Sequence, residues 1–203
     1  MEPQQVKPNP WIVPFSIIIA GALIGGGLYM SSKAPKEFPN GSKEQAKGLE
    51  TINVKSVTDS DHIRGNPNAP VVIIEFSDTE CPFCKQFHES MQRVMSEYGA
   101  SGKVAWVYRH LPIDSLHKRA RKEAEATECV AELGGKDMFW LYLDEIYKKT
   151  GSNDTLDPAE LPKIAVNLGI DEKKFNECLV SGRHATKVKD QDCLLYTSDA
   201  ADE

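Results

Sequence analysis

Val71-Val72-Ile73-Ile74-Glu75-Phe76-Ser77-Asp78-Thr79-Glu80-Cys81-Pro82-Phe83-Cys84 is the stretch whose reading decides the fold. An apolar run of strand length leads directly into two cysteines spaced C-x-x-C, and those open a segment of helical period. Phe83, Phe87, Met91, Val94, Met95 and Tyr98 carry that period. Val104-Ala105-Trp106-Val107-Tyr108-Arg109 then reads as a second strand. Strand, helix and strand in this order make a β-α-β unit, with parallel strands and a right-handed crossover. Residues 52–57 are expected to add an outer strand, which gives an α/β fold.

Two thiols two residues apart at the start of a helix can close into a small disulfide and reopen. A helix N-terminus offers free N–H groups and partial positive charge, which favour the thiolate of Cys81. Pro82 suits the first helical position, where no N–H is needed. Pro82 and Phe83, lying between the sulfurs, are expected to tune the redox potential. The rival is half of a zinc site, since Cys81, Cys84 and His88 have ligand-like spacing. Tetrahedral zinc needs a further ligand, and the chain carries no second C-x-x-C or H-x-x-H group. His88 is therefore expected to be an exposed residue or a modest electrostatic neighbour of the thiols, and no metal is assigned. Glu75 is open to two readings. Buried, it would have a raised pKa and could exchange protons with Cys84; at a strand end, it would reach solvent.

After Pro112 the period turns helical. Helices are expected over about 115–133, ending at Gly134-Gly135, and over about 137–149, ending near Gly151. Asp157-Pro158-Ala159-Glu160 has capping-box spacing and should open a third helix, to about Leu168. Asp171 should cap a fourth that ends near Gly182, and another should begin at about His184. Phe139, Trp140 and Tyr142 are read as helical core, with a peptide-docking surface as the alternative.

These motifs in order resemble the DsbA-like branch of the thioredoxin superfamily. The likeness runs through Asn68-Ala69-Pro70-Val71-Val72-Ile73-Ile74-Glu75-Phe76, Cys81-Pro82-Phe83-Cys84-Lys85-Gln86-Phe87-His88 and Tyr108-Arg109-His110-Leu111-Pro112. It continues through Ala124, Glu128-Cys129, Phe139-Trp140 and Phe175-Asn176-Glu177-Cys178-Leu179. The resemblance implies a thioredoxin-like fold interrupted by an inserted helical domain, with 51–111 as the first part of the thioredoxin-like domain and 112–192 as the insertion. It also implies a protein disulfide oxidoreductase without metal or organic cofactor. Cys81 would be the attacking thiol, Cys84 its partner and Glu75 the buried proton acceptor. Exported protein thiols would be the substrates, and a quinone-linked membrane protein would reoxidise the pair. A thiol reductase or disulfide isomerase would use the same site in the other direction, and a tethered non-catalytic module is the non-enzymatic alternative. The family closes with a cis-proline loop, a β-hairpin and a helix. Nothing after Gly182 matches them, so the C-terminal part of the thioredoxin domain is expected to be missing, and this chain is not expected to form a stable, active thioredoxin domain.

Trp11 to Met30 runs without a charge. At ~1.5 Å per residue it reaches ~30 Å, the thickness of a bilayer core. Residues 1–10 then form a short tail, 11–30 a transmembrane anchor, read as uncleaved with a cleaved signal peptide as the rival, and 31–50 a linker. Lys33, Lys36, Lys43 and Lys47 after the run would place the domain in the cytoplasm, whereas disulfide chemistry places it outside. The chemistry is given precedence, so the domain is expected outside the membrane, periplasmic or at the cell surface.

Residues 193–203 show no helical or strand period and back-translate into a transposon-derived sequencing adapter, so they are read as a non-native tail. Setting aside its acids Asp199, Asp202 and Glu203 takes the formal charge from −6 to −3, and neither value points to nucleic acid. Setting aside Cys193 leaves an even cysteine count. Cys129 and Cys178 are then either two buried free thiols or a structural disulfide between inserted helices. The even count and an oxidising compartment favour the bridge.

Overall fold

The computed structural model describes residues 54–197. The expected anchor at 11–30, the segments flanking it and residues 198–203 lie outside the described residues. Among the described residues, no helix is long and apolar enough to cross a membrane.

A three-stranded sheet holds β1 (His62–Gly65), β2 (Val71–Ser77) and β3 (Val104–His110) in the order β1-β3-β2. The central strand β3 is buried along its whole length, as expected of a run with neighbours on both edges and both faces. It runs parallel to β2, from Val71 opposite Val104 to Ser77 opposite His110. The crossover helix α1 (Pro82–Val94) joins them and tightens into a π-helical turn at Met95–Gly99. Residues 54–57, the described part of the expected outer strand at 52–57, form no strand. His62–Gly65 fills that role, antiparallel to β3 with His62 opposite Tyr108. The Lys55 and Ser56 carbonyls instead accept hydrogen bonds from the buried Arg109 guanidinium, at 2.9 and 3.2 Å, so a side chain takes the place of a strand partner. Gly65 ends β1 with φ +102°, and a Cβ there would meet the Val104 carbonyl oxygen at 2.8 Å.

Five helices follow: α2 (Ala120–Gly134), α3 (Lys136–Lys149), α4 (Glu160–Asn167), α5 (Glu172–Ser181) and α6 (Ala185–Thr197). The first starts later than its periodicity implies. Residues before Ala120 form turns, and the Asp154 carboxylate, from a distant loop, accepts from the Lys118 and Arg119 N–H groups. Asp157 does not close a capping box. Its carboxylate accepts from Ala159 N–H, while the Glu160 carboxylate turns outward to Lys149 and Lys163. Asp171 does cap α5, accepting from Lys174 N–H at 2.8 Å, and Gly182 stops that helix in the left-handed conformation. Residues 193–197 are helical, although no helical period was expected there. Helix α6 carries on through Cys193 to Thr197, because extending a formed helix needs no new nucleus.

Two apolar clusters organise the molecule. One lies within the helical layer and gathers Val130, Tyr142, Ile146, Leu161, Ile164 and Phe175. The other joins that layer to the sheet through Met91, Trp106, Tyr108, Phe139, Trp140 and Tyr147. At about 1.5–3 kcal/mol for each large side chain removed from water, this second cluster fixes the helical layer on the sheet. Phe139, Trp140 and Tyr142 are core, with no docking surface among them. Cys129 on α2 and Cys178 on α5 are joined by a disulfide, with Cα atoms 5.8 Å apart.

Candidate active site

β2 ends in a run that is buried from Ser77 through Glu80. Asp78 turns the chain there. Its carboxylate accepts from Glu80 N–H at 2.8 Å and its carbonyl from Cys81 N–H at 3.2 Å. The turn delivers Cys81 to the N-cap of α1 in extended conformation, with Pro82 in the first helical turn. No side chain caps this helix, so the cysteine faces its free N–H groups. Cys81 and Cys84 are both thiols, each partly exposed. Phe83 projects into solvent beside them.

Strand alternation carries Glu75 and Ser77 to one face of β2. Glu75 is buried and does not reach solvent. Its Oε2 accepts from the Trp106 indole at 2.7 Å, while Oε1 is buried without a hydrogen-bond partner. Burial pushes the Glu75 carboxyl above its ordinary pKa, against the smaller opposing effects of Ser77, Trp106 and His88. Burial also pushes the Cys84 thiol up, to about 11; the Asp78 backbone and Ser77 oppose this, and Cys81 adds to it. Glu75 and Cys84 line one shallow hollow of about 360 Å³, with Ile74, Phe76, Phe83 and Phe87. The pair thus has an outer sulfur at a helix end and an inner sulfur held protonated beside a buried acid. That asymmetry suits nucleophilic exchange at one sulfur and proton transfer at the other.

His88 is not exposed. It is buried one turn beyond Cys84, and its Nε2 donates to Asp144 at 2.8 Å. Arg64 holds the other Asp144 oxygen at 2.8 Å. Among the described residues the only grouping with metal-ligand spacing is Cys129, Cys178 and His184. Both of its sulfurs are in the disulfide and His184 is paired with Glu132.

Several groups around the thiols were not singled out from the sequence. Ser77 Oγ lies 2.8 Å from the Tyr147 hydroxyl, which also donates to the Asp78 carbonyl at 3.3 Å. Glu80 is fully buried next to Cys81, and its carboxylate accepts from the Thr155 and Leu156 N–H groups at 3.3 Å. Facing it, Glu123 accepts from the Thr79 hydroxyl at 2.5 Å. Its pKa is pushed up to about 8, by burial first and then by Glu80 and Asp78. Ser77 could have been found from its two-residue step beyond Glu75. Tyr147 and Glu123 lie far along the chain and carried no such signal.

The profile of the family described as Thioredoxin matches residues 57–192. The chain belongs to the thioredoxin family. This thioredoxin-family chain is 35% identical over 143 residues to a Na(+)/H(+) antiporter NhaA 3 of Salinispora tropica, covering 70% of the chain and 21% of that protein. A Na(+)/H(+) antiporter NhaA 1 of Salinispora arenicola is 32% identical over 143 residues, with the same coverage. The chain therefore spans about a fifth of the length of these relatives. Among solved structures, alpha-DsbA1 of Wolbachia pipientis superposes with a TM-score of 0.60 at 22% identity, over 70% of each chain. Oxidised BdbD of Bacillus subtilis gives 0.61 at 23%, covering 68% of this chain and 76% of its own. DsbA2 of Pseudomonas aeruginosa gives 0.56 at 25%, covering 70% and 76%. The fold is DsbA-like: a thioredoxin-like core with inserted helices.

Proposed function

We propose that this domain is a thiol-disulfide oxidoreductase that introduces disulfides into exported proteins through Cys81 and Cys84. The carrying observation is the asymmetry of the pair. Cys81 stands at the uncapped N-terminus of α1, while Cys84 is pushed up to about 11 beside the buried Glu75. In the oxidised form a substrate thiolate attacks Cys81, and the electrons of the broken Cys81–Cys84 bond leave on Cys84, which takes up a proton. A second substrate thiol then displaces Cys81, so the substrate is oxidised and the pair reduced. Glu75 is the acid placed to exchange that proton, and Pro82 and Phe83 set the potential. In this reading a quinone-linked membrane protein reoxidises the pair. The charge-free run Trp11–Met30 supports a membrane tether with the domain outside the membrane.

The test is single-turnover exchange between the oxidised chain and a peptide dithiol. Cys81→Ser should abolish exchange, and reduced Cys84→Ser mixed with the disulfide form of the peptide should accumulate a mixed disulfide on Cys81. A reduction potential well above the thioredoxin value of about −270 mV supports oxidation over reductase or isomerase work, and a value at or below it overturns that direction. Absence of any mixed disulfide on Cys81 overturns the assignment.

A further inference from the structure

The buried carboxyl of Glu75 is held through one of its two oxygens. The Trp106 indole N–H donates to Oε2 at 2.7 Å, and Oε1 is buried without a hydrogen-bond partner. The sheet register sets this contact. Glu75 stands opposite Tyr108 on β3, and Trp106 lies two residues back on the same face of that strand. Such a diagonal neighbour is within reach of a long aromatic side chain. Among the described residues no cation pairs with Glu75. The Arg64 guanidinium lies over the Trp106 ring, 5.5 Å from its centroid, but its charge is met by Asp144 at 2.8 Å.

Trp106 is itself fixed in place. It is fully buried, with the ring centroids of Trp140 and His88 4.8 and 4.9 Å from its own. Asp144 on α3 holds both Arg64 and His88 at 2.8 Å, so two of the groups beside the indole are tied to one carboxylate. An indole N–H gives a hydrogen bond and accepts none. It can neither take the Glu75 proton nor pass one on. In a neutral acid the carbonyl oxygen is the stronger acceptor, so the N–H fixes Oε2 as the C=O oxygen and leaves the proton on Oε1. Once that proton leaves, the same N–H faces a carboxylate, and a hydrogen bond to a charged acceptor is the stronger one.

We infer that Trp106 is a positioning residue for the thiol-disulfide step: by holding Oε2 it makes Oε1 the oxygen through which Glu75 exchanges its proton with Cys84. The inference rests on the thiol-disulfide reading above. When a substrate thiolate opens the Cys81–Cys84 bond, the electron pair of that bond leaves on the Cys84 sulfur. This sulfur takes the Oε1 proton across the hollow that Glu75 and Cys84 both line. The carboxylate left behind keeps its bond from Trp106. In the reverse step Oε1 takes the Cys84 proton and the thiolate attacks the sulfur of Cys81, expelling the substrate thiolate. The titratable groups facing Glu75 are His88 and Cys84 from α1, Tyr108 from β3 and Tyr147 from α3. Arg64 from β1 and Asp144 from α3 lie beyond the indole as a pair.

The experiment uses the full chain with Trp106→β-(3-benzothienyl)alanine, which keeps the shape of the ring and replaces its N–H by sulfur. Trp106→Phe, Glu75→Gln and each Trp106 variant combined with Glu75→Gln are compared with wild type. Stopped-flow oxidation of a peptide dithiol by the oxidised chain is followed from about pH 4 to about pH 10. The limb of the pH profile that Glu75→Gln removes belongs to Glu75. Without the N–H it should move up by about 1 to 2 pH units, because the lost bond favoured the ionised carboxyl. In the Glu75→Gln background, loss of the N–H should leave the profile unchanged. A tryptophan with only a packing role would lower the urea midpoint and leave the limb in place. Infrared spectra read the same bond without thiol chemistry. The C=O stretch of the protonated Glu75 carboxyl, absent in Glu75→Gln, should rise in frequency when the N–H is gone. An unmoved limb in an active chain, the lack of any limb that depends on Glu75, or an unmoved stretch overturns the role of Trp106 alone. A wild-type chain that does not oxidise the peptide overturns the thiol-disulfide reading, and the role of Trp106 in it.

Discussion

Replacing both cysteines of the bridge, as Cys129→Ala/Cys178→Ala, probes what holds the helical layer together. The bridge joins α2 to α5 across a sequence separation of 49. Closing a loop of that length removes entropy from the unfolded chain worth ~4 kcal/mol at 25 °C. Both residues are buried in the helical cluster, beside Val130 and Phe175, so alanine loses little further packing volume. Urea unfolding under non-reducing conditions, followed by the fluorescence of the buried Trp106 and Trp140, measures the change. With a slope of about 2 kcal/mol/M, the midpoint should drop by about 2 M. Thermal unfolding should fall by about 8–16 °C. Exchange at Cys81 should be unchanged below the melting temperature, because neither cysteine touches the thiol site. A midpoint within about 0.5 M of wild type would refute the loop-closure argument. So would alkylation of both residues in unreduced protein.

Alkylation of the reduced chain at pH 8, read by peptide mass mapping, should modify Cys81 and leave Cys84 largely unmodified. Labelling of Cys84 should rise only as pH approaches its pKa of about 11. Glu123, raised from 4.5 to about 8, holds its proton longer in the folded chain than in the unfolded one. Its contribution is therefore complete below about pH 4.5 and lost as pH rises through about 8. Urea midpoints should decline across that window, and Glu123→Gln should flatten the decline. Arg109→Met should cost about 3–5 kcal/mol, because it strands Asp61, now paired with the guanidinium at 2.8 Å, as a buried charge. Urea midpoints that match wild type would contradict that burial.

What the sequence disclosed follows from how local each signal is. Strand, C-x-x-C and helix form one continuous stretch, so β2, α1 and the placement of Cys81 and Cys84 were legible in it. Asp171 and Gly182 act on their own backbone and were legible for the same reason. Residues 52–57 have strand-like alternation, but the Arg109 guanidinium takes two of their carbonyls, and Arg109 lies about fifty positions away. The late start of α2 has a similar cause, the cap supplied by Asp154. His88 looked like a surface residue because its partner Asp144 sits on another helix. Period and propensity describe a chain's relation to itself. They say nothing about a carboxylate that arrives from the other layer.

That dependence on the other layer reaches the thiols themselves. The loop after α3 holds Ser152, Asn153 and Asp154 in succession at φ 67°, 56° and 64°, a conformation that non-glycine residues disfavour. Such a run persists only if its surroundings over-determine it, and here they do. Asn153 N–H donates to the Glu80 carbonyl at 2.7 Å, and Thr155 and Leu156 N–H donate to the Glu80 carboxylate. Thr150 carbonyl accepts from Lys85 Nζ at 2.6 Å, on the first turn of α1. These contacts fall on residues immediately before and after the C-x-x-C motif. Tyr147, three residues ahead of Thr150, closes on Ser77 from the same side. The helical insertion therefore grips both flanks of the dithiol. The geometry of Cys81 at its helix end and the burial of Cys84 are properties of two layers, written in segments about seventy residues apart.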